Sequence, residues 1–213
     1  TVLRDSGELV QILESTQLPS HRFLVTADVI SLYPNLDFKK PLVGLDLLLR
    51  EARMPETPLL IQLARLVFEN NFLQTEFSQD IFHQIFGIAM GTPFAVTVAN
   101  AFMFYVEKDL VTQYSDYLVI YKRFIDDIFL IWSGEKDKLL EFLTCLNSRN
   151  DRINLTYVIE KSSIAFLDLF CSKIPALADY SFLLIKSHSI SICTFLLIHF
   201  IPQATRGPLS KVN

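Results

Sequence analysis

Two adjacent carboxylates, Asp126 and Asp127, stand inside a run of residues that is otherwise apolar. The run extends from Phe124 to Trp132 in the order Phe-Ile-Asp-Asp-Ile-Phe-Leu-Ile-Trp, which is typical of two buried strands joined by a turn. A charge in such surroundings is costly unless it is paired or binds a cation, and neighbouring acids disfavour each other's ionisation. Asp-Asp is also an ordinary turn dipeptide, but the apolar setting favours a site for a divalent cation.

A third carboxylate, Asp28, stands 98 positions before Asp126, at the end of the apolar segment Phe23 to Ala27. Taken alone, Asp28 could simply cap the following turn. In a sheet, however, a strand end and a hairpin tip can meet at the same edge. Two metal ions roughly 3.5–4 Å apart, bridged by such acids, activate an attacking hydroxyl and stabilise a leaving phosphate.

The elements that would position these acids follow from the hydrophobic pattern. We expect a mixed α+β fold, with a mainly antiparallel sheet and helices packed on one face. The expected helices are Gly7–Ser15, 38–53, one starting at Thr57-Pro58, one starting at Thr92-Pro93 and ending near Gln113, and Glu135–Leu146. The expected strands are Arg22–Val29, the hairpin Phe72–Phe77 with Ile81–Phe86, the hairpin Leu118–Trp132, and the pair Leu155–Ile159 and Ile164–Phe170, with a turn at Ser31–Asn35.

Composition limits the class of protein. The chain has 213 residues, of which 51% are hydrophobic, so one domain with a substantial core is expected. Three widely spaced cysteines without a CxxC pattern indicate a reducing compartment, either nuclear or cytoplasmic, and no secretion signal is visible. The apolar stretch Ile190–Ile201 is too short to span a membrane. A net charge of −4 argues against nucleic-acid binding, because proteins that bind the phosphate backbone usually have a basic excess.

Three segments nevertheless resemble, in order, the first three palm motifs of a reverse transcriptase, in the form found in Penelope-like retroelements. They are Asp28-Val29-Ile30-Ser31-Leu32-Tyr33, Gly87-Ile88-Ala89-Met90-Gly91-Thr92-Pro93-Phe94-Ala95 and Phe124-Ile125-Asp126-Asp127. Ile164-Ala165-Phe166-Leu167-Asp168-Leu169 resembles a further segment of that family, and the match covers about residues 20–172. The resemblance implies a polymerase palm-type antiparallel sheet backed by helices, and an RNA-directed DNA polymerase that binds an RNA template, a DNA primer and dNTP.

The resemblance also implies a metal-binding role for each of the three acids. Asp28 and Asp126 would be the principal ligands of two Mg²⁺ ions, or of Mn²⁺, with the Val29 carbonyl nearby. Asp127 would be the second acid of the pair, less directly coordinated. The primer 3′-hydroxyl would then attack the α-phosphate of dNTP, with no side-chain nucleophile.

Substrate contacts are implied in the same way. Tyr33 would lie under the incoming sugar and exclude a 2′-hydroxyl. Met90, Gly91 and Pro93 would form part of the nucleotide site. Two further assignments concern lysine and arginine side chains: Lys122 and Arg123 would contact primer phosphates or form an ordinary exposed strand face, and Lys161 would be the proton donor to pyrophosphate.

The ends of the chain depart from the family pattern. We expect residues 1–20 to be a remnant of the fingers, 21–172 to be the palm with inserted fingers elements, and 173–213 to be a degenerate or altered segment. On this interpretation the chain is a fragment that is inactive alone. Two alternatives stay open: a non-enzymatic palm-like remnant, and another template-directed polymerase such as a family B DNA polymerase or a viral RNA-dependent RNA polymerase.

Overall fold

The computed structural model describes residues 1–19, 21–74, 76–77, 79–174, 182–187 and 196–197. The helices are α1 (Ser6–Ser15), α2 (Leu32–Asn35), α3 (Lys39–Glu51), α4 (Thr57–Glu69), α5 (Pro93–Gln113) and α6 (Lys136–Ser148). The strands are β1 (Phe23–Ile30), β2 (Phe72–Gln74), β3 (Ile81–His83), β4 (Leu118–Phe124), β5 (Asp127–Trp132), β6 (Asn154–Glu160), β7 (Ser163–Phe166), β8 (Leu169–Ile174), β9 (Phe182–Ser187) and β10 (Leu196–Leu197). Most of the expected altered segment 173–213 lies outside the described residues.

The central sheet has the strand order β4-β5-β1-β6, and its strand pairs are antiparallel. A second sheet has the order β10-β9-β8-β7, and β2 and β3 form a separate hairpin. The mixed α+β class and the antiparallel sheet backed by helices are therefore confirmed. Each of the predicted hairpins at Leu118–Trp132 and Phe72–Phe86 is present, although β2 and β3 are shorter than expected.

The central sheet is covered on both faces, which explains why β1 and β5 are apolar along most of their length, on both strand faces. Alternate side chains such as Val25 and Leu130 pack with helices α5 and α6 in one core cluster. The side chains between them, such as Leu24 and Phe129, pack with α1 and with the β7–β8 pair in a second cluster. The expectation of helices on one face holds for the larger helices, whereas α1 and β7–β8 cover the opposite face.

Two local predictions need correction. The segment Ile164–Phe170 is not one strand, because the chain reverses at Leu167 and Asp168 and forms β7 and β8. The Thr57-Pro58 pair predicted a helix start with Thr57 as the capping side chain followed by proline in the first turn, but Glu56 occupies the N-cap of α4 and the Thr57 hydroxyl donates a hydrogen bond to the Met54 carbonyl at 2.6 Å. Within the described residues, no helix is both long enough and apolar enough to cross a bilayer.

Candidate active site

The central sheet brings the three acids to one edge. β1 and β5 pair so that Asp28 lies directly opposite Asp127. Asp126 precedes Asp127 at the tip of the β4–β5 hairpin, and its carbonyl accepts a hydrogen bond from the Val29 amide at 3.3 Å. Acids that are 98 positions apart in the chain thus become neighbours in the structure.

The hairpin tip has an unusual backbone. Phe124 pairs with Asp127, so Ile125 and Asp126 are the two central residues of the turn. Ile125 has a φ of +56°, in the left-handed region that a β-branched residue rarely adopts. Such a conformation costs on the order of 1–3 kcal/mol and persists only where the surrounding structure enforces it.

A buried polar cluster lies beneath this turn. The Arg123 guanidinium is fully buried, and its Nη1 donates to the Ile125 carbonyl at 2.8 Å and to Asn100 Oδ1 at 2.6 Å. Its Nε donates to Glu107 at 3.1 Å, and the Tyr121 hydroxyl donates to the same carboxylate at 2.9 Å. Burial and the Glu107 charge raise the pKa of Tyr121 well above its ordinary value, so the phenol keeps its proton.

The cluster requires a correction to the interpretation of Arg123. Its side chain turns inward toward α5, so it neither faces primer phosphates nor belongs to an exposed strand face. Asn100 and Glu107 were not identified from the sequence. A signal was present for Arg123, since it shares a strand face with the aromatic Tyr121, but Glu107 stands in the charged run Glu107-Lys108-Asp109 and does not stand out in the sequence.

The carboxylates perturb one another. Burial, followed by the charge of Asp126, raises the pKa of Asp28 above its ordinary value. Burial, followed by the charges of Asp126 and Asp28, raises the pKa of Asp127. Because a nearby cation would relieve this repulsion, the electrostatics fit a metal site.

The donor chemistry also suits magnesium, which prefers carboxylate and carbonyl oxygens. Within the part of the chain that the structure describes, however, no three His, Cys, Asp or Glu side chains are arranged so that they could hold a metal ion together. The backbone brings the acids to one edge, and their side chains would have to turn toward a common point to share a cation.

The first two motif segments pack together beside the acids. The Ile88 amide donates to the Tyr33 carbonyl at 2.9 Å, and the Gly87 amide donates to the Leu36 carbonyl at 3.2 Å. Burial, followed by the charge of Asp126, raises the pKa of the Tyr33 phenol above its ordinary value. Tyr33 and Ile125, one of the two central residues of the hairpin turn, both pack against the same core cluster.

Met90, Gly91 and Pro93 lie where the link between β3 and α5 enters the helix. Met90 is 68% exposed, and Gly91 and Pro93 are also exposed, so all three are accessible to a ligand. Gly91 has a φ of +91°, a conformation for which glycine is suited.

The two predicted lysines differ in their position relative to the acids: Lys122 is opposite Phe129, two residues from Asp127 on β5, whereas Lys161 lies at the other end of the sheet. Lys122 is partly exposed on β4, close to the start of the chain, where burial and the Lys122 charge lower the pKa of the N-terminal amine. Lys161 Nζ lies 5.3 Å from the centroid of the Phe23 ring, at the opposite end of β1 from Asp28. Five residues of strand correspond to about 17 Å, so the structure does not bring Lys161 to the carboxylates.

A cleft of about 250 Å³ opens beside Asp28 and Asp127. It lies among β1, β6 and the β7–β8 pair, and its polar lining includes two threonines that were not identified from the sequence, Thr26 and Thr156. Thr156 is directly opposite Asp28 in the β1–β6 register, so only the strand pairing could have indicated it. The arrangement offers space next to the acids for part of a substrate.

Comparisons with known proteins show the fold. No protein-family model and no curated protein matches the chain. Telomerase from Candida albicans, in complex with a fragment of telomeric RNA, superposes with a TM-score of 0.67 at 14% identity, covering 91% of this chain and 36% of that chain. Truncated apo telomerase from Candida tropicalis gives 0.61 at 14% identity, covering 80% of this chain and 39% of that chain.

The RNA polymerase complex of a double-stranded RNA virus gives a TM-score of 0.56 at 15% identity, covering 79% of this chain and 17% of that chain. This chain therefore spans well under half the length of each of these proteins. Together the likenesses show a reverse-transcriptase-like polymerase fold.

Proposed function

We propose that this chain carries the catalytic palm of a template-directed nucleic-acid polymerase of the reverse transcriptase type. The observation that carries the proposal is the pairing of Asp28 with Asp127, which gathers the acids of two separate motifs at one sheet edge. The polymerase-like fold and the order of the three motif segments support the same function.

In this proposal Asp28, Asp126 and the Val29 carbonyl hold two Mg²⁺ ions, with Asp127 less directly involved. The ions, when bound, activate the primer 3′-hydroxyl and stabilise the leaving phosphate. The protein contributes position and electrostatics, since phosphoryl transfer needs little covalent chemistry from side chains.

In the same proposal, the substrate is contacted by Tyr33 and by the exposed segment between β3 and α5. Met90, Gly91 and Pro93 are accessible and would contact the nucleotide and the templating base. The Tyr33 ring, which packs against the same core cluster as Ile125 of the hairpin turn, would exclude a ribose 2′-hydroxyl and so select dNTP. An RNA template and a DNA primer follow from the resemblance to Penelope-like retroelements, and the telomeric RNA held by the Candida albicans telomerase is consistent with an RNA template.

Metal binding by the chain itself is the first test. We expect Mn²⁺ titrations followed by electron paramagnetic resonance to show binding that strengthens when dTTP is added. Asp28→Asn and Asp126→Asn should each weaken that binding by about tenfold or more, because each removes one negative ligand. Asp116→Asn, at an exposed turn before β4, is the control for loss of one carboxylate. Equal Mn²⁺ affinity in all four proteins would refute the proposed site.

Primer extension tests the reaction. With a DNA primer annealed to an RNA template, Mg²⁺ and dNTP, a full-length polymerase that contains this region should lose detectable synthesis on Asp126→Asn, because the metal ligands are needed in the transition state. Synthesis that survives this substitution would remove Asp126 from the reaction. A chain that binds neither Mn²⁺ nor dTTP would favour the non-enzymatic alternative.

Sugar selection separates the reverse transcriptase proposal from an RNA-synthesising polymerase. In the same extension assay, Tyr33→Ala should increase incorporation of ribonucleotides relative to dNTP, and Tyr33→Phe, which keeps the ring, should not. Equal selectivity in Tyr33→Ala and the unmodified protein would show that another residue selects the sugar.

A further inference from the structure

The buried cluster beneath the hairpin tip has a cost that calls for an explanation. Arg123 and Glu107 form an ion pair whose side chains are 0% and 1% exposed. A buried ion pair contributes little net stability, and its replacement by apolar residues of similar volume is often neutral or stabilising. Stability alone therefore gives a weak reason for placing this pair in an apolar core.

The contacts of Arg123 indicate a different role. While Nε binds Glu107, Nη1 reaches the carbonyl of Ile125, the residue with positive φ. The next carbonyl, that of Asp126, accepts the Val29 amide from β1. Two consecutive carbonyls of the turn are thus fixed, one from the helix side and one from the neighbouring strand.

We propose that Arg123 is a positioning residue, held by Glu107, that keeps the Ile125–Asp126 turn in its strained conformation and thereby fixes the direction in which the Asp126 carboxylate leaves the backbone. The hydrogen bond to Ile125 compensates part of the cost of the left-handed residue. The consequence for metal binding rests on the proposed function, whereas the effect on the turn does not.

The geometry explains why arginine is needed. One guanidinium spans Glu107, Asn100 and the Ile125 carbonyl at the same time, because its donors point in fixed directions within a plane. A lysine ammonium would keep the charge beside Glu107 without covering all three acceptors. Arg123→Lys should therefore keep most of the stability and lose most of the positioning.

The experiment compares three variants of the full chain. Arg123→Met combined with Glu107→Gln removes both charges together and keeps an acceptor for the Tyr121 hydroxyl. Arg123→Lys keeps the charge. Tyr121→Phe is the matched control, because it removes a hydrogen bond to Glu107 and leaves the Arg123 contact with Ile125 intact. Each variant is measured by urea unfolding, by hydrogen exchange of single amides and by Mn²⁺ affinity.

We expect the Val29 amide, whose partner is the Asp126 carbonyl, to exchange about tenfold faster or more in the double variant and in Arg123→Lys. Amides in the middle of the sheet, such as those of Val25 and Leu130, should exchange at unchanged rates. Mn²⁺ affinity should fall about tenfold, which corresponds to about 1.4 kcal/mol. Tyr121→Phe should leave both the Val29 exchange rate and Mn²⁺ affinity close to those of the unmodified chain.

Three results would overturn the proposal: an unchanged Val29 exchange rate in both Arg123 variants, an equal acceleration in the middle of the sheet, or an equal effect of Tyr121→Phe. Arg123→Lys keeps the test valid if the double variant does not fold. If the unmodified chain binds no Mn²⁺, the proposed function fails, and the Val29 exchange rate still decides whether Arg123 positions the turn.

Discussion

The β5 strand and the segment from α4 to Phe86 both contain many large apolar residues, yet those residues have opposite environments. Residues 128–132 of β5 are each 0% exposed, covered from both faces of the central sheet. In the second region many large apolar side chains are exposed, and Phe77 reaches 98%. We refer to this group as the outer surface: Leu59, Leu63, Leu66, Val67, Phe72, Leu73, Phe77, Ile81, Phe82 and Ile85.

The comparison shows that apolar composition does not by itself identify the core. β5 is buried because it pairs on both sides and has a layer on each face, whereas α4 packs against α3 through a few residues such as Ala64. Leu59, Leu63 and Leu66 share the opposite face of α4. Exposed apolar surfaces of this kind are typical of regions that contact another molecule or another part of a protein.

The same substitution in both regions gives the largest expected contrast. Phe129→Ala should lower the free energy of unfolding by about 3–5 kcal/mol, because it empties a fully buried site that contacts Phe166. Phe77→Ala should change it by less than about 0.5 kcal/mol. Urea denaturation monitored by circular dichroism measures both, and a similar cost at the two positions would contradict the contrast between them.

Gly44 tests the packing of α3, the helix that contacts α4, on α5, the helix that covers the central sheet. It lies in α3 directly against the Ala101 backbone of α5, and an added Cβ would collide with the Ala101 carbonyl. Gly44→Ala should cost about 1–3 kcal/mol, because backbone must move apart to make room. Gly7→Ala, in the first turn of α1, is the control and should be nearly neutral. A neutral Gly44→Ala would mean that α3 shifts freely on α5.

The smallest expected effect is a change with pH in the free energy of unfolding. It arises from Asp28 and Asp127, at the edge of the central sheet that carries the acids. Since the pKa values of Asp28 and Asp127 are raised by folding, both carboxyls bind protons more tightly in the folded state. Without metal, their contribution to stability is therefore greatest in acid. It is lost as pH rises from the ordinary carboxyl value of about 4 through the raised pKa values.

Asp127→Asn removes one of these charges. We expect it to stabilise the metal-free protein at pH 7 by up to about 1 kcal/mol, allowing for solvent screening, and to have no stabilising effect at pH 3. Urea unfolding at both pH values, with Asp116→Asn as the control, measures the difference. A variant that is less stable than the unmodified chain at pH 7 would show that the Asp127 charge is favourable.

Local patterns predicted the elements of the fold well. The apolar run interrupted by Asp126 and Asp127 predicted the hairpin, and the Thr92-Pro93 pair located the start of α5, because these signals depend on neighbouring residues. The break at Leu167 was missed because nothing but Asp168 interrupts an otherwise apolar run, and Leu167 adopts a φ of +52° that leucine rarely takes. No local signal predicts that conformation.

The positions of site residues were predictable where they depend on which strands pair. They were less predictable where they depend on the direction that a long side chain takes. Asp28 and Asp127 meet because of strand register, which the antiparallel sheet implied. The inward direction of Arg123 depends on Glu107, 16 positions earlier on another element, and the position of Lys161 depends on where β6 pairs with β1. These pairings join residues that are far apart in the chain, so they cannot be inferred from a short stretch of sequence.

The central position of β1 also has a consequence during synthesis. β1 ends at Ile30, but its neighbours β5 and β6 are complete only at Trp132 and Glu160. At about 5–20 residues per second, the ribosome needs roughly 6–26 seconds to make the 130 or so residues that separate β1 from the end of β6. Until Trp132 has been made, both hydrogen-bonding edges of β1 are unpaired, and until Glu160 has been made one edge is; an unpaired edge is a site at which chains can aggregate. The strand that carries Asp28 is therefore exposed to aggregation for longer than the strands of the β4–β5 hairpin, which can pair as soon as both are made.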